Sequence, residues 1–320
     1  QIQNIGKVTR VRRRAPHCAA ARPRKGARHV YEFFMFADRR STPAFWLGSL
    51  AVVIGVLLHL PMFLMARKMN YMMAGMPMDS GMLWGMAFII VGCAAAAWGL
   101  QPKPVAASAV YHHEKIMAPE DAPLTRWHVM ACVALAIALV IDVMKPAALG
   151  FVTPGMRVEY ALDSARVAYL PFWALLGTVV GSFIWGALAD LYGRRATILL
   201  SAVMFVGTSI CGAMPSFTWN LVMCFLMGAA AGGMLPVAYA LLAEIMPTRH
   251  RGWSLVLVGG VGAVGGYLAA SGLSALLQPI FGWRIMWFLN LPSGLLLVGL
   301  SPFIPESARF LMHIGRPDEA

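Results

Sequence analysis

An acid and a base stand three residues apart in the apolar stretch IDVMKPAALGF, residues 141–151. On a helix this spacing places Asp142 and Lys145 on one face, about a turn apart. Each charge costs roughly 2.5–3.5 kcal/mol at the centre of a membrane helix, and ionisable residues kept there usually serve a functional site. The sequence therefore predicts that Asp142 neutralises Lys145, and that an anion competes for the ammonium group and frees the acid to bind a proton.

A second interpretation of Lys145 is that its side chain extends along its own stem to the nearer membrane surface. About nine residues separate it from Pro154, or about 13 Å of helix at 1.5 Å per residue, and a lysine side chain covers only part of that distance. Pro146 disturbs the backbone directly after the lysine and is predicted to kink the helix and direct the side chain inward. Both interpretations stay open on the sequence alone.

The composition predicts an all-α membrane protein. Hydrophobic residues make up 59% of the chain and charged residues 12%, against about 25% charged residues in a typical soluble domain. The five cysteines have no paired spacing, and we find no nucleophile–base pair, so the sequence predicts no enzyme, no metal site and no cofactor. The methionine-rich stretch MNYMMAGMPMDSGM, residues 69–82, contains no histidine or cysteine and is predicted to be an interfacial loop rather than a Cu(I) site.

Lysine and arginine residues are distributed unevenly between the predicted loops. Residues 1–44 alone hold 11 of the 26. If the chain starts in the cytoplasm, twenty bases fall on cytoplasmic segments and five on the opposite side, and cytoplasmic loops are normally the basic ones. The sequence therefore predicts a multi-pass protein of a plasma membrane, the bacterial inner membrane, with both ends cytoplasmic. The basic arm has no folded module or interleaved aromatic residues, which predicts no nucleic-acid partner.

The stretch GALADLYGRRATIL, residues 186–199, lies between two predicted spans. Gly186 is predicted to let two helices approach closely, and Gly193 to permit a tight turn. Asp190 is placed to pair with the bases that follow the turn, Arg194 and Arg195. The stretch resembles the loop signature G-x-x-x-D-R/K-x-G-R-R/K of the major facilitator superfamily.

Two further stretches at predicted membrane edges resemble signatures of the sugar-porter and metabolite:proton-symporter branches of that superfamily. They are PVAYALLAEIMPTRHRG, residues 236–252, and PESARFLMHIGRPDEA, residues 305–320. Pro236 is predicted to kink its span. The resemblance implies a salt-bridge network on the cytoplasmic face, formed here by Asp190, Arg194, Arg195, Glu244, Arg249, Arg251, Glu306 and Arg309.

Hydropathy predicts eight spans, and the resemblance, which covers residues 126–320, implies the organisation of the last six. The expected parts are a basic, disordered cytoplasmic arm (1–44), two accessory transmembrane helices (45–100), a cytoplasmic linker (101–126), the N-terminal six-helix bundle of a major facilitator fold (127–303) and the start of a central cytoplasmic loop (304–320). Transporters of this kind place the substrate site between two such bundles. A second, C-terminal six-helix half is therefore expected in the intact protein.

The expected function is secondary transport of a small organic anion with proton coupling, by alternating access across the lipid bilayer. The stretch around Asp142 resembles the first span of aromatic-acid symporters, but Lys145 stands where a second acid is usual and Cys224 where an arginine is usual. A sugar or neutral-metabolite porter is one alternative. A non-transporting membrane sensor or remnant is another, which these departures would suit.

Overall fold

The structure is a computed structural model that describes residues 41–102, 123–316 and 320. The predictions for the basic arm and for most of the linker fall outside these residues. The described chain forms thirteen α-helices and shows no strand. They are α1 (Ser41–Leu57), α2 (Leu60–Met65), α3 (Ser80–Gly99), α4 (Arg126–Glu159), α5 (Ser164–Val167), α6 (Tyr169–Tyr192), α7 (Arg194–Gly207), α8 (Phe217–Ala231), α9 (Met234–Ile245), α10 (Thr248–Phe281), α11 (Ile285–Phe288), α12 (Asn290–Gly299) and α13 (Ala308–His313).

Seven helical segments of the described chain are long and apolar enough to cross a membrane. They are Thr42–Met69, Ser80–Gly99, Arg126–Glu159, Ser164–Tyr192, Arg194–Ala213, Phe217–Ile245 and Thr248–Phe281. Several of them combine two shorter helices. Pro236, which was predicted to kink its span, lies in the first turn of α9. The helix is interrupted just before it, between α8 and α9. Pro146, by contrast, does not interrupt α4, which stays one helix of 34 residues.

The eighth predicted span, 284–303, is not a helix of membrane length. It consists of α11, α12 and a 3-10 turn at Ser301–Phe303, and its apolar segment Ile285–Gly299 is shorter than the others. Pro292 has no amide hydrogen, so it cannot donate to the carbonyl of Phe288. A proline is tolerated in a helix only near the start of that helix. The helix therefore restarts at Asn290.

Helices α1 and α3 form an antiparallel pair, the accessory hairpin, which packs on α7. Glycines bring the two backbones together: a Cβ placed on Gly48 would lie 2.6 Å from the carbonyl oxygen of Gly92. In the rest of the described chain α4 pairs with α10, and α6 with α8. Helix α7 lies between the hairpin and the other helices, and its span is the most deeply buried of the seven.

Successive helices run between two ends of the molecule. At one end, where α4 finishes, the Tyr160 hydroxyl donates to the carbonyl of Met214 over 3.0 Å. At the other, the amide of Gln101 donates to the Tyr192 hydroxyl over 3.3 Å. We call these the Glu159 end and the Glu306 end, after the acid that organises each.

Candidate functional site

Asp142 and Lys145 lie in the middle of α4 and point into the helix bundle. Asp142 is 5% exposed and Lys145 is 1% exposed. The lysine side chain is buried along its whole length, so it does not extend to the membrane surface as the second interpretation required. Both side chains face the neighbouring helices, as their spacing of three residues predicts.

Asp142 and Lys145 lie near enough to attract each other, but the structure shows no hydrogen-bonded ion pair between these two groups. The ammonium nitrogen of Lys145 and Oδ1 of Asp142 are both buried without a hydrogen-bond partner, and the ion pairs of the described chain lie elsewhere. The ammonium instead lies against the ring of Phe205 on α7. A cation over an aromatic face is attracted to it, but this contact satisfies none of the three ammonium protons.

Two cysteines lie in the same buried region. Cys211 lies near Lys145, and Cys224 on α8 lies near Cys211. Both are 2% exposed. Cys224 is the residue that stands, by the resemblance noted from the sequence, at a position where an arginine is expected. The positive charge of this region therefore comes from Lys145 on α4 instead of from α8.

An open groove of about 320 Å³ lies beside the site, between α4 and the α5–α6 segment. Its walls are mainly apolar and are formed by Pro146, Leu149, Gly150, Thr153, Ser164, Val167, Ala168 and Pro171. Lys145 is not among them. An anion in this groove therefore does not contact the ammonium in this structure.

The charged motifs meet at the Glu306 end, where Arg194 is the centre of a small network. One guanidinium nitrogen lies 3.0 Å from Asp190 and donates to the carbonyl of Ala189 over 2.9 Å. The other lies 3.3 Å from Glu244 on α9. The network thus joins α6, α7 and α9.

Glu306 caps the start of α7. Its Oε1 accepts hydrogen bonds from the backbone amides of Arg194, at 2.9 Å, and Arg195, at 3.4 Å. An acid at a helix N-terminus is stabilised by the free amides and the helix dipole. Burial raises the pKa of Glu306, and these amide hydrogen bonds and the nearby Arg195 guanidinium partly oppose the increase. Gly193 between the two helices has a φ of +94°, as the predicted turn requires.

Three further residues of the predicted network lie on α10 and α13. Arg251 donates to the carbonyl of Met246 over 3.4 Å, while Arg249 and Arg309 lie exposed on α10 and α13. No other helix comes within 4 Å of a Cβ built on Gly186, so the predicted close approach there is wrong for the described structure. The close contact of α6 is made instead near Gly177 and Gly181, which touch the backbone of α8.

Sequence reasoning missed the buried ion pair at the Glu159 end. Arg284 is 0% exposed, and its guanidinium lies 2.7 Å from Oε1 of Glu159. It also donates to the carbonyls of Gly212, over 3.1 Å, and Met214, over 2.9 Å. Each residue stands next to a span boundary, where single charges are ordinary, and nothing in the sequence connects positions this far apart.

Comparison with known proteins identifies the family. Residues 151–320, just over half of the chain, match the family described as "Sugar (and other) transporter". The chain belongs to this family of the major facilitator superfamily. It is thus a multi-pass membrane protein of a transporter family and not an enzyme. Asp142 and Lys145 lie just before the matched residues.

Two curated relatives from Acinetobacter baylyi show how far the similarity extends. The chain is 27% identical to the niacin transporter NiaP over 202 residues, which covers 63% of this chain and 46% of NiaP. It is 29% identical to the 4-hydroxybenzoate transporter PcaK over 207 residues, covering 61% of this chain and 43% of PcaK. The chain thus spans about half the length of these relatives.

A solved structure resembles this family member in fold. It is the partially occluded, inward-open conformation of the xylose transporter XylE from E. coli, with a TM-score of 0.53 and 18% sequence identity. The similarity covers 61% of this chain and 52% of XylE. The helices described here therefore resemble part of a major facilitator fold.

Proposed function

We propose that the intact protein is a secondary active transporter of a small organic anion, with proton coupling and alternating access. The observation that carries the proposal is the pair of unpartnered groups on α4, Asp142 and Lys145. Buried polar groups are nearly always hydrogen-bonded, so two orphans one turn apart call for a ligand or a proton. In mid-span they mark a pathway for one or both.

The chemistry of the relatives supports an anionic substrate. Two of these relatives are named for niacin and 4-hydroxybenzoate. Both compounds are aromatic acids that carry a carboxylate at neutral pH. An ammonium group binds a carboxylate by a charge-assisted hydrogen bond. In the proposed cycle the carboxylate replaces the Phe205 ring against Lys145, while Asp142 takes up and releases the coupled proton.

The domain organisation of the proposal follows the sequence. Residues 45–100 are two accessory helices, residues 127–303 are the N-terminal six-helix bundle, and a second bundle of the intact protein completes the substrate cavity. Residues 304–320 start the loop between the two halves. At the Glu306 end, the network around Arg194 holds α6, α7 and α9 together while the site faces the opposite side.

The proposed orientation puts the Glu306 end and both ends of this chain in the cytoplasm of a bacterial cell. A cysteine introduced at Ser80, next to the loop at the Glu159 end, should then react with a membrane-impermeant maleimide added outside intact cells. A cysteine at Ser108, in the predicted linker, should react only after the cells are opened. The reverse pattern would contradict this orientation.

Uptake by the intact protein in proteoliposomes tests the proposal directly. Radiolabelled benzoate, niacin and 4-hydroxybenzoate should accumulate when the outside is made acidic, and a protonophore should abolish the accumulation. Residues 1–320 alone should take up none of them, since the second half of the cavity is absent. The family description and the likeness to XylE favour a sugar as the second candidate, so xylose and glucose are the comparison. Pure sugar uptake, or no uptake of either class, would contradict the anion proposal.

A further inference from the structure

The loop of the accessory hairpin is bonded to the end of α4. Oε1 of Glu159 accepts hydrogen bonds from the backbone amides of Met73, at 2.6 Å, and Ala74, at 2.9 Å. The Met73 side chain is 0% exposed. The methionine-rich loop, predicted to be interfacial, is therefore fixed to the bundle by an acid that belongs to the helix carrying Asp142 and Lys145.

The same carboxylate also binds a second connection at this end. Oε2 of Glu159 accepts from the indole of Trp283 over 2.9 Å and from Nε of Arg284 over 3.3 Å. Arg284 in turn binds the carbonyls at the turn between α7 and α8, and donates to the Tyr160 hydroxyl over 2.8 Å. One side chain, Glu159, thus joins the hairpin loop, α4 and the segment between α10 and α11.

Apolar contacts follow the same path. Phe63 of α2 lies 4.8 Å, between ring centroids, from both Tyr71 of the loop and Phe288 of α11. The amide of Gly75 donates to the carbonyl of Pro215 over 3.0 Å. The loop therefore contacts the connection between α7 and α8 and, through Tyr71, the end of α10.

The hairpin is also held along its length. A Cβ built on Gly207 at the end of α7 would lie 2.9 Å from the side chain of Ile89 on α3. Such close packing excludes lipid between the two helices. A hairpin held both along α7 and at its loop has two separated points of attachment, which opposes both sliding and rotation.

We infer that the accessory hairpin is a brace, meaning a rigid attachment that stabilises the Glu159 end of the bundle. The hairpin moves with the bundle as one body throughout transport, and Glu159 is the residue that holds it in place. The attachment itself is inferred from the contacts alone. Only its consequence, that the loop stays closed when the substrate site changes sides, rests on the proposed function. A hairpin that served as a gate would have to release these contacts in each cycle.

A disulfide across the contact tests whether the loop opens. A Cβ on Gly282 would lie 3.4 Å from Cβ of Tyr71, close to the separation found in disulfides. In the intact Tyr71→Cys/Gly282→Cys protein, uptake in the oxidised state should stay within about twofold of that in the reduced state, with each single variant as control. A loss beyond about tenfold that a reductant restores would overturn the brace.

A second measurement needs no transport and keeps the inference testable if the strained Gly282 variant fails to fold. A cysteine at Met72, which is 45% exposed, should react with a maleimide, and one at Met73 should not. Adding Glu159→Ala should make the cysteine at Met73 reactive. Glu159→Gln, which keeps an acceptor oxygen, should expose it less, and Asp163→Ala, which removes an acid near the same end, should leave it protected. The role of Glu159 would be refuted if the cysteine at Met73 stayed protected in the Glu159→Ala variant. It would also be refuted if that cysteine already reacted while Glu159 was present.

Discussion

Lys145→Met should lower the affinity of the intact protein for an aromatic carboxylate by about ten- to a hundredfold. The estimate follows from losing one hydrogen bond to a charged group, worth about 1.5–3 kcal/mol, at about 1.4 kcal/mol per factor of ten. Methionine has nearly the length of lysine and can still pack against Phe205, so the variant removes the charge and its contact with the ring but little volume. Binding of the radiolabelled substrate to purified protein across pH measures the effect.

The same substitution should not destabilise the protein. Lys145 has no hydrogen-bond partner in the described structure, and replacing a poorly compensated buried charge by an apolar residue of similar size is often neutral or stabilising. Lys145→Arg, which keeps the charge but misplaces it, should recover binding only partly, and Asp142→Asn should change the pH dependence of uptake more than the affinity. Unchanged affinity in Lys145→Met would leave the lysine without a role in binding.

Arg284→Met should destabilise the protein by about 3–5 kcal/mol, because it leaves Glu159 as a buried charge without its cation. The variant also removes the donors that bind Gly212 and Met214. Unfolding in mixed micelles by a denaturing detergent measures the change, and Arg157→Met, which removes an exposed arginine at the same end, is the control with a change of about 0–1 kcal/mol.

A double-mutant cycle separates the ion pair from the rest of the cluster. Glu159→Gln combined with Arg284→Met should cost less than the two single changes added together, because the charge that each single variant leaves behind is no longer present. Additive losses would mean that the two residues act independently and would contradict their assignment as a pair.

The Glu306 end was largely predictable from the sequence because its residues lie in local motifs. The glycine turn at Gly193 and the pairing of Asp190 with Arg194 depend on neighbours four residues apart or fewer, so spacing alone predicts them. Glu306 was assigned to the predicted salt-bridge network without a specific partner. In the structure it binds the backbone amides at the start of α7, and the Arg195 guanidinium lies nearby.

The site on α4 and the Glu159 end were harder to predict, because their contacts join residues that are far apart in the sequence. Spacing correctly placed Asp142 and Lys145 together on the buried side of α4. The groups that they contact depend on α7, however, and no sequence motif identifies Phe205 as the neighbour of Lys145. Glu159 and Arg284 are separated by 125 residues, and each resembles an ordinary charge at a span boundary. The eighth span was predicted too long because its apolar composition conceals the effect of Pro292.

The order of synthesis makes Arg284 the last component of the Glu159 cluster to leave the ribosome. The loop amides at Met73 and Ala74 precede it by roughly 200 residues, which takes about 10–40 s at about 5–20 residues per second. Glu159 is made between them, 125 residues before Arg284. For about 6–25 s at the same rate its carboxylate can therefore bind the loop amides, while its cation has not yet been made. Insertion of α11 therefore completes the cluster, and the two helices of the accessory hairpin acquire their final attachment only after Arg284 has been translated.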